Sequence, residues 1–316
     1  MKSFGGVQNQ VSSINSYLNN SENFTSKVAA PDSKDYDLGN SMNIPFNGSV
    51  SPVCLFPNKE KLFEALKWAD IVHIHEPFVP LTFWKLPKNK KYVFTHHAAL
   101  NQIVCFLLNL LYKLIGRKGI STHVSLLSKQ NALTLNKFSH LIPNMFHLNY
   151  DLEFKINNHF LFIGRDEKRK NLNLYNNYVS NFYDSKYKYS AITNKHINNK
   201  NISTFINPNE QEKREILIES DIYLALNTYG ESFGITLIEA INSGNIVISS
   251  DIEPFVNLLG NSGIYFENNS LSSLQETIQI IKTKNLLNIW IKQFNHIKKY
   301  EINKNMDKLI LLYLSL

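Results

Sequence analysis

Short apolar runs alternate with segments of helical periodicity, and this alternation constrains the fold of the chain more than any other feature. Strands that are apolar on both faces and separated by helices form parallel sheets covered by helices. The pattern therefore predicts a doubly wound α/β fold. In the second half the predicted strands are 160–163, 189–193, 202–206, 222–226, 246–250 and 264–266, and the predicted helices are 172–182, 234–242, 271–282 and a tail that ends at Leu316.

The first half shows the same alternation less regularly. A chain of 316 residues is long enough for about two domains. Pro143-Asn144 and the polar run that follows, to Asn158, indicate the boundary, so we predict one domain over 1–150 and a second over 151–316 that includes the helical tail. In the first half the predicted strands are 71–75, 92–95, 123–127 and 140–142, and the predicted helices are 7–18, 59–68 and 102–115.

The net charge is divided unevenly between the two halves. The chain has 33 Lys and Arg against 26 Asp and Glu, a net charge of +7. Residues 1–150 hold 15 basic and 8 acidic side chains, whereas residues 151–316 hold 18 of each. The excess in the first half favours an anionic partner there, such as nucleic acid, a membrane surface or a phosphorylated substrate, unless the lysines serve only solubility.

The cysteine content and the hydropathy exclude two classes of protein. Cys54 and Cys105 are too few for a disulfide framework or a thiolate zinc site, and they are typical of a reducing compartment. No uninterrupted apolar run reaches the roughly 18 residues of a membrane-spanning helix. We therefore expect a cytoplasmic protein.

Residues 227–239 combine a glycine with two glutamates around the start of a predicted helix. They follow strand 222–226, and ligands of open α/β sheets bind beyond the carboxyl ends of the strands. Gly234 allows a close backbone approach, and a helix start offers free amides. Glu231 precedes the helix and Glu239 lies roughly 7.5 Å into it. Such a pair can bind hydroxyl pairs on two parts of one polyol, although an isolated pair is more typical of a solvated helix surface.

A basic cluster follows strand 160–163. The strand ends in Gly164-Arg165, and Lys168, Arg169 and Lys170 come shortly after it. Arg and Lys at the carboxyl end of a buried strand suit a phosphate, although they are also common in solvated loops. The combination of this cluster with the two glutamates is what makes the pattern specific.

With these residues the sequence resembles the retaining glycosyltransferases of the GT-B fold, family 4 (glycosyl transferases group 1). Glu231 and Glu239, with Phe233-Gly234 between them, resemble the E-x7-E pattern of that family. Further motifs occur in the family's order over nearly the whole chain. They are Gly5-Gly6-Val7-Gln8, the stretch 70–77, Val93 to His97, Ile142-Pro143-Asn144, the stretch 163–171, Ser249-Ser250-Asp251 and the stretch 260–263.

The resemblance implies two Rossmann-like domains with a cleft between them, the donor mostly on the second domain and the acceptor on the first. It implies that Glu239 binds the ribose and Glu231 the transferred sugar, while Arg165 and Lys170 neutralise the diphosphate. The implied catalytic residues are Glu231, His97, Arg165 and Lys170; the implied donor-binding residues are Gly5, Gly6, Arg165, Lys170, Glu231, Phe233, Gly234, Ile235, Thr236 and Glu239; and the acceptor-side candidates are His75, Glu76 and His96.

The implied activity is retaining, metal-independent transfer of a sugar from a UDP- or GDP-linked donor to a glycan or lipid-linked acceptor. Surface polysaccharides such as lipopolysaccharide O-antigen or capsule are the implied products. Arginine and lysine stabilise the departing diphosphate, so we expect neither a metal nor another cofactor. The expected partners are the nucleotide sugar, the acceptor and an anionic membrane surface at the inner face of the cytoplasmic membrane, but not nucleic acid.

Residues 103–115 are strongly apolar and are followed by Gly116-Arg117-Lys118. The stretch is too short to span a bilayer. It can lie in the membrane interface with Lys113, Arg117 and Lys118 near anionic lipid. It can equally be an ordinary core helix of the first domain, and the sequence leaves both readings open.

The chain departs from the family pattern at four points. Asn227-Thr228 stands where the family has Pro-Ser, Ser232 where it has Gly, and Asn257 where it has Glu. A buried strand precedes the glycine loop in the family, whereas here the loop begins four residues after Met1. We therefore expect the first strand of the N-terminal domain to be missing: either the true start lies upstream of Met1, or the chain is a truncated product, or the first domain has adapted. A truncated or degenerate non-catalytic GT-B protein is the main alternative.

Other activities fit fewer residues. A GT-B epimerase would release an altered sugar nucleotide without an acceptor. Asp35-Tyr36-Asp37 resembles the metal-binding D-x-D of GT-A enzymes but lacks a preceding strand. A dinucleotide oxidoreductase requires G-x-G-x-x-G after a strand, which Gly5-Gly6-Val7 does not supply. Metal ligation by His73, His75, His96 and His97 is a weaker interpretation than packing and hydrogen bonding.

Overall fold

The computed structural model describes residues 6–46, 49–77, 86–98, 100, 102–115 and 118–316. The chain divides into two compact units. The first comprises Met1–Phe146 together with Tyr300–Leu316, and the second comprises His147–Lys299. Both units are α/β, as the alternation of apolar runs and helices predicts.

The first unit begins with a helix, and its strands and helices then alternate. Its elements are α1 (Gly6–Asn19), β1 (Ala29–Ala30), β2 (Tyr36–Asp37), β3 (Met42–Phe46), β4 (Ser49–Val53), α2 (Lys59–Trp68), β5 (Ile71–His75), β6 (Lys91–His96), α3 (Gln102–Ile115), β7 (Ile120–His123), α4 (Leu126–Leu135) and β8 (Ser139–Leu141).

In the second unit strands and helices mostly alternate. Its elements are β9 (His159–Ile163), α5 (Leu172–Phe182), β10 (Lys188–Thr193), β11 (Ser203–Ile206), α6 (Glu210–Glu219), β12 (Ile222–Ala225), α7 (Ile235–Asn242), β13 (Ile246–Ser250), α8 (Glu253–Leu259), β14 (Ile264–Phe266), α9 (Leu271–Lys282) and α10 (Leu286–Ile297); the last helix, α11 (Ile302–Leu314), returns to the first unit.

The main sheet of the first unit is parallel, in the order β5-β6-β7-β8. Successive side chains of a strand point to opposite faces of the sheet. On β6, Val93 accordingly packs with α1 and α11, whereas Tyr92 and Phe94 pack with Leu62 and Leu66 of α2. Both faces of β6 are therefore covered, which explains why this strand is apolar on both sides.

Strand β5 forms one edge of this sheet. Among the described residues it pairs only with β6, and all five of its residues are half-buried, whereas every β6 residue after Lys91 is buried. The expectation that a strand preceding the glycine loop is missing concerns residues 1–5, which lie outside the described residues. A short hairpin of β3 and β4 and a parallel pair of β1 and β2 complete the strands described in this unit.

The sheet of the second unit has six parallel strands in the order β11-β10-β9-β12-β13-β14. From β9 the chain first builds outward through β10 and β11 and then returns to the other side of β9 with β12. The strand order therefore reverses between β9 and β12. Such a reversal opens a crevice at the carboxyl ends of the two strands, where ligands of open α/β sheets bind.

The helical tail differs from its predicted assignment to the second domain, because α11 packs with the first unit. Its Met306 and Leu309 are fully buried in a cluster with Ile14 and Val93. Backbone bonds between Phe146 and residues 300 and 302 fix the return of the chain. The tail is amphipathic, and its apolar stripe would fit either unit equally well from the sequence alone.

Some local elements also differ from prediction. The stretch 123–127, predicted as a strand, contains the end of β7 and the start of α4. The Ser125 side chain accepts the Ser128 N–H and begins that helix with a capping box. Helices α6 and α8 were not predicted from the sequence, while the bounds of α2, α3, α5, α9, β5, β13 and β14 agree with prediction.

Candidate functional site

Lys170 and Glu231 meet at the crevice between β9 and β12. Lys170 lies in a 3₁₀ turn seven residues after β9 ends, and Glu231 lies in the loop between β12 and α7. Lys170 Nζ lies 3.2 Å from Glu231 Oε2. Gly164 permits the close return of the turn, because a Cβ there would lie 2.9 Å from the Phe162 ring and 3.0 Å from Lys170 Cβ. The fold therefore unites two predicted residues that are 61 positions apart.

The Glu231 carboxylate is held from several sides. Asn227 Nδ2 donates to Oε2 at 3.0 Å, and the Ser232 backbone N–H donates to Oε1 at 3.3 Å. Burial by itself raises the pKa of Glu231. The charge and hydrogen bond of Lys170, with smaller contributions from Arg169 and Ser232, outweigh burial and hold that pKa below its ordinary value. Glu231 is therefore an ionised acceptor beside a cation, suited to hydroxyl groups of a ligand.

Arg165 lies beside Glu167. Arg165 Nε is 3.3 Å from Glu167 Oε1, and Arg169 Nε is 2.9 Å from Glu167 Oε2. The Arg169 side chain is almost fully buried, and its Nη1 donates to the Gly230 carbonyl at 3.4 Å. The basic cluster is therefore partly built into the crevice wall through Arg169, while Arg165, 48% exposed, remains at the surface.

Gly234 forms the turn into α7. Its φ of +98° lies in the left-handed region, and a Cβ there would lie 3.2 Å from both Leu258 and Phe255. Phe233 beside it is buried. Ile235 and Thr236 begin the helix, half-buried, and Thr236 Oγ1 accepts from the Tyr223 hydroxyl at 3.3 Å. The predicted donor-binding segment is therefore rigid, and glycine is required by conformation and by space.

Glu239 occupies a separate position further along α7. It pairs with Lys213 of α6, with Nζ 2.8 Å from Oε2. Burial lowers the pKa of Lys213, but the charges of Glu239 and Glu210 outweigh burial and raise it overall. The two predicted glutamates are therefore each matched by a lysine, and they do not share one cation.

In the first unit, three predicted residues meet at the carboxyl ends of β5 and β6. His75 Nδ1 and His97 Nε2 are hydrogen-bonded at 2.9 Å, with the two rings stacked at 5.2 Å. The Glu76 carboxylate accepts the backbone N–H groups of His97 and Ala98, both at 2.5 Å. Glu76 has a φ of +54°, which turns the chain sharply after β5. We call His73, His75 and His97 the histidine cluster.

Burial keeps the histidine cluster neutral. Desolvation, reinforced by neighbouring histidines, lowers the pKa of His73 to about 3 and that of His75 well below its ordinary value. Desolvation also lowers the pKa of His97 to about 4, against an opposing effect of Asn144. Burial raises the pKa of Glu76, against the lowering effect of its two backbone bonds. This site therefore offers neutral donors and acceptors rather than positive charge.

The remaining predicted residues lie outside these contacts. His96 is completely buried, desolvation lowers its pKa to about 3, and the hydrogen bonds that join His75, Glu76 and His97 do not include it. Gly6 begins α1, whereas Gly5 lies outside the described residues. Among the described residues, no group of three or more His, Cys, Asp or Glu side chains is arranged to hold a metal ion.

Several participants were not predicted as site residues. Asn227, noted only as a departure from the family pattern, bonds Glu231, and Lys213 bonds Glu239. Glu167 lies within the basic cluster but was not singled out. Tyr313 of α11 reaches His73 Nδ1 at 2.6 Å. Of these, only Asn227 and Glu167 carry a sequence signal, which is their proximity to strand ends; Lys213 and Tyr313 arrive through tertiary packing.

Helix α3 exposes an apolar stripe. Ile103, Phe106, Leu107 and Leu110 follow the spacing of one helix face, and each is 52–73% exposed. The opposite face is anchored by Cys105, which is buried and contacts Asn131 of α4. In the described part of the chain, none of the helices is both long and apolar enough to cross a bilayer.

Comparisons with known proteins find a matching family model and similar chains. Residues 151–303 match the family model described as glycosyl transferases group 1. A stretch of 47 residues is 45% identical to phosphatidyl-myo-inositol mannosyltransferase of Mycobacterium tuberculosis. That stretch is 15% of this chain and spans only 12% of the length of the relative.

Solved structures resemble nearly the whole chain. A glycosyltransferase from Rickettsia africae superposes with a TM-score of 0.67 at 17% identity and covers 98% of this chain and 94% of its own. Anabaena Alr3699/HepE, solved in complex with UDP, superposes with a TM-score of 0.63 at 11% identity, over 81% of this chain and 82% of its own. These likenesses show the fold.

Proposed function

Because the chain belongs, through residues 151–303, to the glycosyl transferases group 1 of the GT-B fold, we propose that it transfers a sugar from a nucleotide-sugar donor to a glycan or lipid-linked acceptor. The Lys170–Glu231 pair is the observation that carries the proposal. In this pair Lys170 is a cation suited to a diphosphate, and Glu231 is an ionised carboxylate suited to sugar hydroxyls. The pair lies where the strand order reverses between β9 and β12. Anabaena Alr3699/HepE, solved with UDP, shares the fold.

The donor chemistry follows from the second unit. Departure of a nucleoside diphosphate concentrates negative charge on its phosphate oxygens, so fixed cations such as Lys170 and Arg165 lower the barrier. Glu231 orients the sugar through its hydroxyls, and Glu239 binds the ribose. These cations supply the charge that a metal would otherwise supply. Retention arises by front-face attack, in which the leaving phosphate takes the proton of the acceptor hydroxyl, so that no carboxylate nucleophile is required.

The acceptor chemistry belongs to the first unit. The neutral imidazoles of His75 and His97 each carry one N–H donor and one lone pair, and their mutual hydrogen bond uses one group of each ring. The ring groups that remain suit hydroxyl groups better than phosphates. Glu76 fixes the backbone of His97 and Ala98 and so holds the His97 ring at the strand end. Surface polysaccharides such as O-antigen or capsule are the products that we assign.

A donor screen tests the proposal. Purified protein would be assayed for nucleotide release with UDP- and GDP-sugars, with and without EDTA, and the anomeric configuration of the product read by NMR. Lys170→Met should reduce turnover by about 100-fold. Lys195→Met removes the same charge from a lysine that pairs with Asp166 at the surface and should preserve turnover. If no nucleotide sugar binds, the protein is a non-catalytic member of the fold and the proposal fails.

We also propose that the first unit docks on anionic lipid through α3. Between Glu76 and Asp151 the sequence has nine Lys or Arg and no Asp or Glu. Lys118, Lys129 and Lys137, which belong to this stretch, are exposed. An exposed apolar stripe next to unopposed lysines is the composition of an interfacial helix. The protein would then work at the inner face of the cytoplasmic membrane, on a lipid-linked acceptor.

Vesicle sedimentation tests this surface. Binding to phosphatidylglycerol-containing vesicles should exceed binding to neutral phosphatidylcholine vesicles and weaken as salt rises. Phe106→Ser should weaken it, whereas Phe63→Ser, on α2 and equally exposed, should not. Equal effects of the two substitutions, or binding that ignores salt, would contradict the assignment of α3.

A further inference from the structure

Glu167 is a carboxylate set among the cations of the basic cluster. Its two oxygens face different arginines: Oε2 lies 2.9 Å from Arg169 Nε and Oε1 lies 3.3 Å from Arg165 Nε. Without a ligand, Lys170 is likewise paired with Glu231. The cations that the proposed function assigns to the diphosphate therefore already face carboxylates of the chain itself.

The two arginines that face Glu167 differ in exposure. The Arg169 guanidinium is almost fully buried and also donates to the Gly230 carbonyl at 3.4 Å, while the Arg169 carbonyl accepts the Thr228 N–H at 2.8 Å. The Arg169–Glu167 pair is thereby fixed in the crevice wall. The Arg165 side chain, in contrast, is 48% exposed, so a phosphate can approach it from solvent.

The fixed carboxylate of Glu167 competes with any phosphate for the exposed guanidinium of Arg165. A phosphate that recruits Arg165 must break its pair with Glu167, and the cost of that exchange lowers the net affinity. On this basis, which rests on the proposed function, we infer that Glu167 is an internal competitor of the donor diphosphate: it holds Arg165 in the free protein and weakens binding of nucleoside diphosphates.

The consequence concerns the product as much as the donor. In the front-face step the leaving phosphate gains the proton of the acceptor hydroxyl. Once that proton is lost to solvent, the nucleoside diphosphate carries one more negative charge than it did in the donor, so the cations hold it more strongly. Glu167 can reclaim Arg165 at that stage and favour release. It is a residue that tunes affinity through Arg165, and it does not itself touch the reacting atoms.

Isothermal titration with UDP and GDP tests this role. Glu167→Gln retains an amide oxygen for Arg169 but removes the charge, so the dissociation constant should fall by roughly two- to fivefold, the range that a partly exposed ion pair supports. Glu167→Asp keeps the charge but shortens the reach, and it should give a smaller decrease. Unfolding temperatures of both variants establish that they are folded.

Asp166→Asn is the matched control. Asp166 is adjacent on the same loop and pairs with Lys195 at 3.2 Å, so the substitution removes the same charge without touching the arginines. Its dissociation constants should equal those of the parent protein. A second test places Glu167→Gln in an Arg165→Ala background, where the gain in affinity should disappear because the competed cation is absent.

The outcomes separate the inference from its premise. Equal or weaker nucleotide binding by Glu167→Gln overturns the inference while the proposed function stands. If Asp166→Asn gives an equal gain in nucleotide affinity, or if the gain persists without Arg165, the effect reflects the net charge of the surface. Either result also overturns the inference. If UDP and GDP bind to no variant and not to the parent protein, the proposed function fails and the inference fails with it.

Discussion

The crevice of the second unit and the histidine cluster of the first treat buried charge in opposite ways. Both lie at the carboxyl ends of two adjacent parallel strands, and both contain a half-buried glutamate. Glu231 is met by Lys170, whereas Glu76 is met by two backbone N–H groups and uncharged imidazoles. The nearby cation favours the ionised form of Glu231, whereas burial disfavours the ionised form of Glu76.

Burial alone therefore does not decide the protonation state of a carboxylate. Burial raises the pKa of both glutamates, but only at Glu231 does a nearby cation reverse the direction. Glu231 therefore stabilises the fold above its unfolded pKa, and this contribution disappears as pH falls through its lower folded pKa. Glu76 does the reverse: its contribution is present at low pH and is lost as pH rises through its raised folded pKa.

The largest expected effect separates these two glutamates by substitution. Glu231→Gln removes the negative charge that balances Lys170 and should lower kcat/KM for sugar transfer by about 100-fold. Glu76→Gln keeps an oxygen for the two backbone N–H groups and removes an ionisation that burial disfavours. It should leave the thermal unfolding temperature at pH 7 unchanged or raise it. Steady-state kinetics and thermal melts on the same preparations measure both.

Glu253→Gln, an exposed glutamate at the start of α8, serves as the control for loss of charge and should keep full activity. Similar losses of activity in Glu231→Gln and Glu253→Gln would remove the crevice from the mechanism. Strong destabilisation by Glu76→Gln would show that the carboxylate is needed in its ionised form.

The next effect concerns pH and the histidine cluster. In the folded chain burial lowers the pKa of His97 to about 4 and that of His73 to about 3, whereas unfolded histidines titrate at an ordinary pKa near 6.5. The unfolded chain therefore binds more protons below that pH, and the free energy of unfolding should fall as pH drops from about 6.5 to about 4. Each such histidine contributes about 1.4 kcal/mol per pH unit.

Denaturant unfolding between pH 7 and pH 5 measures this slope. His97→Asn should remove the contribution of one histidine to the slope of the unfolding free energy against pH. His196→Asn, at an exposed position of the second unit, should not change that slope. A stability that stays flat over this range, or an equal change from both substitutions, would show that the cluster is protonated or hydrated in the folded state.

The smallest effect concerns the turn into α7. Gly234→Ala forces a Cβ into the left-handed region and against Leu258 and Phe255, and it should cost about 1–3 kcal/mol. Gly39→Ala has a similar φ of +92° but meets nothing within 4 Å, so it should cost only the conformational part, about 1 kcal/mol. Equal costs would mean that α8 yields to the added methyl group and that packing does not constrain the turn.

The sequence predicted the second unit better than the first for a physical reason. Strands such as β12 and β13 are buried on both faces, so they appear as continuous apolar runs with polar boundaries. The stretch 123–127 instead spans two elements, because Ser125 caps the start of α4. The hydrogen bond that the Ser125 hydroxyl accepts there cannot be recognised from hydropathy. The exposed stripe of α3 has the composition of a core helix, and only the fold shows that it faces outward.

Local periodicity and spacing specify the α/β class, the order of the motifs and the residue types near the strand ends. Tertiary structure alone decided which charges meet: Lys170 with Glu231, Glu167 between Arg165 and Arg169, and Glu239 with Lys213. It also decided that α11 returns to the first unit. Pairing over tens of residues depends on strand order and on the reversal beside β9, which no local pattern encodes.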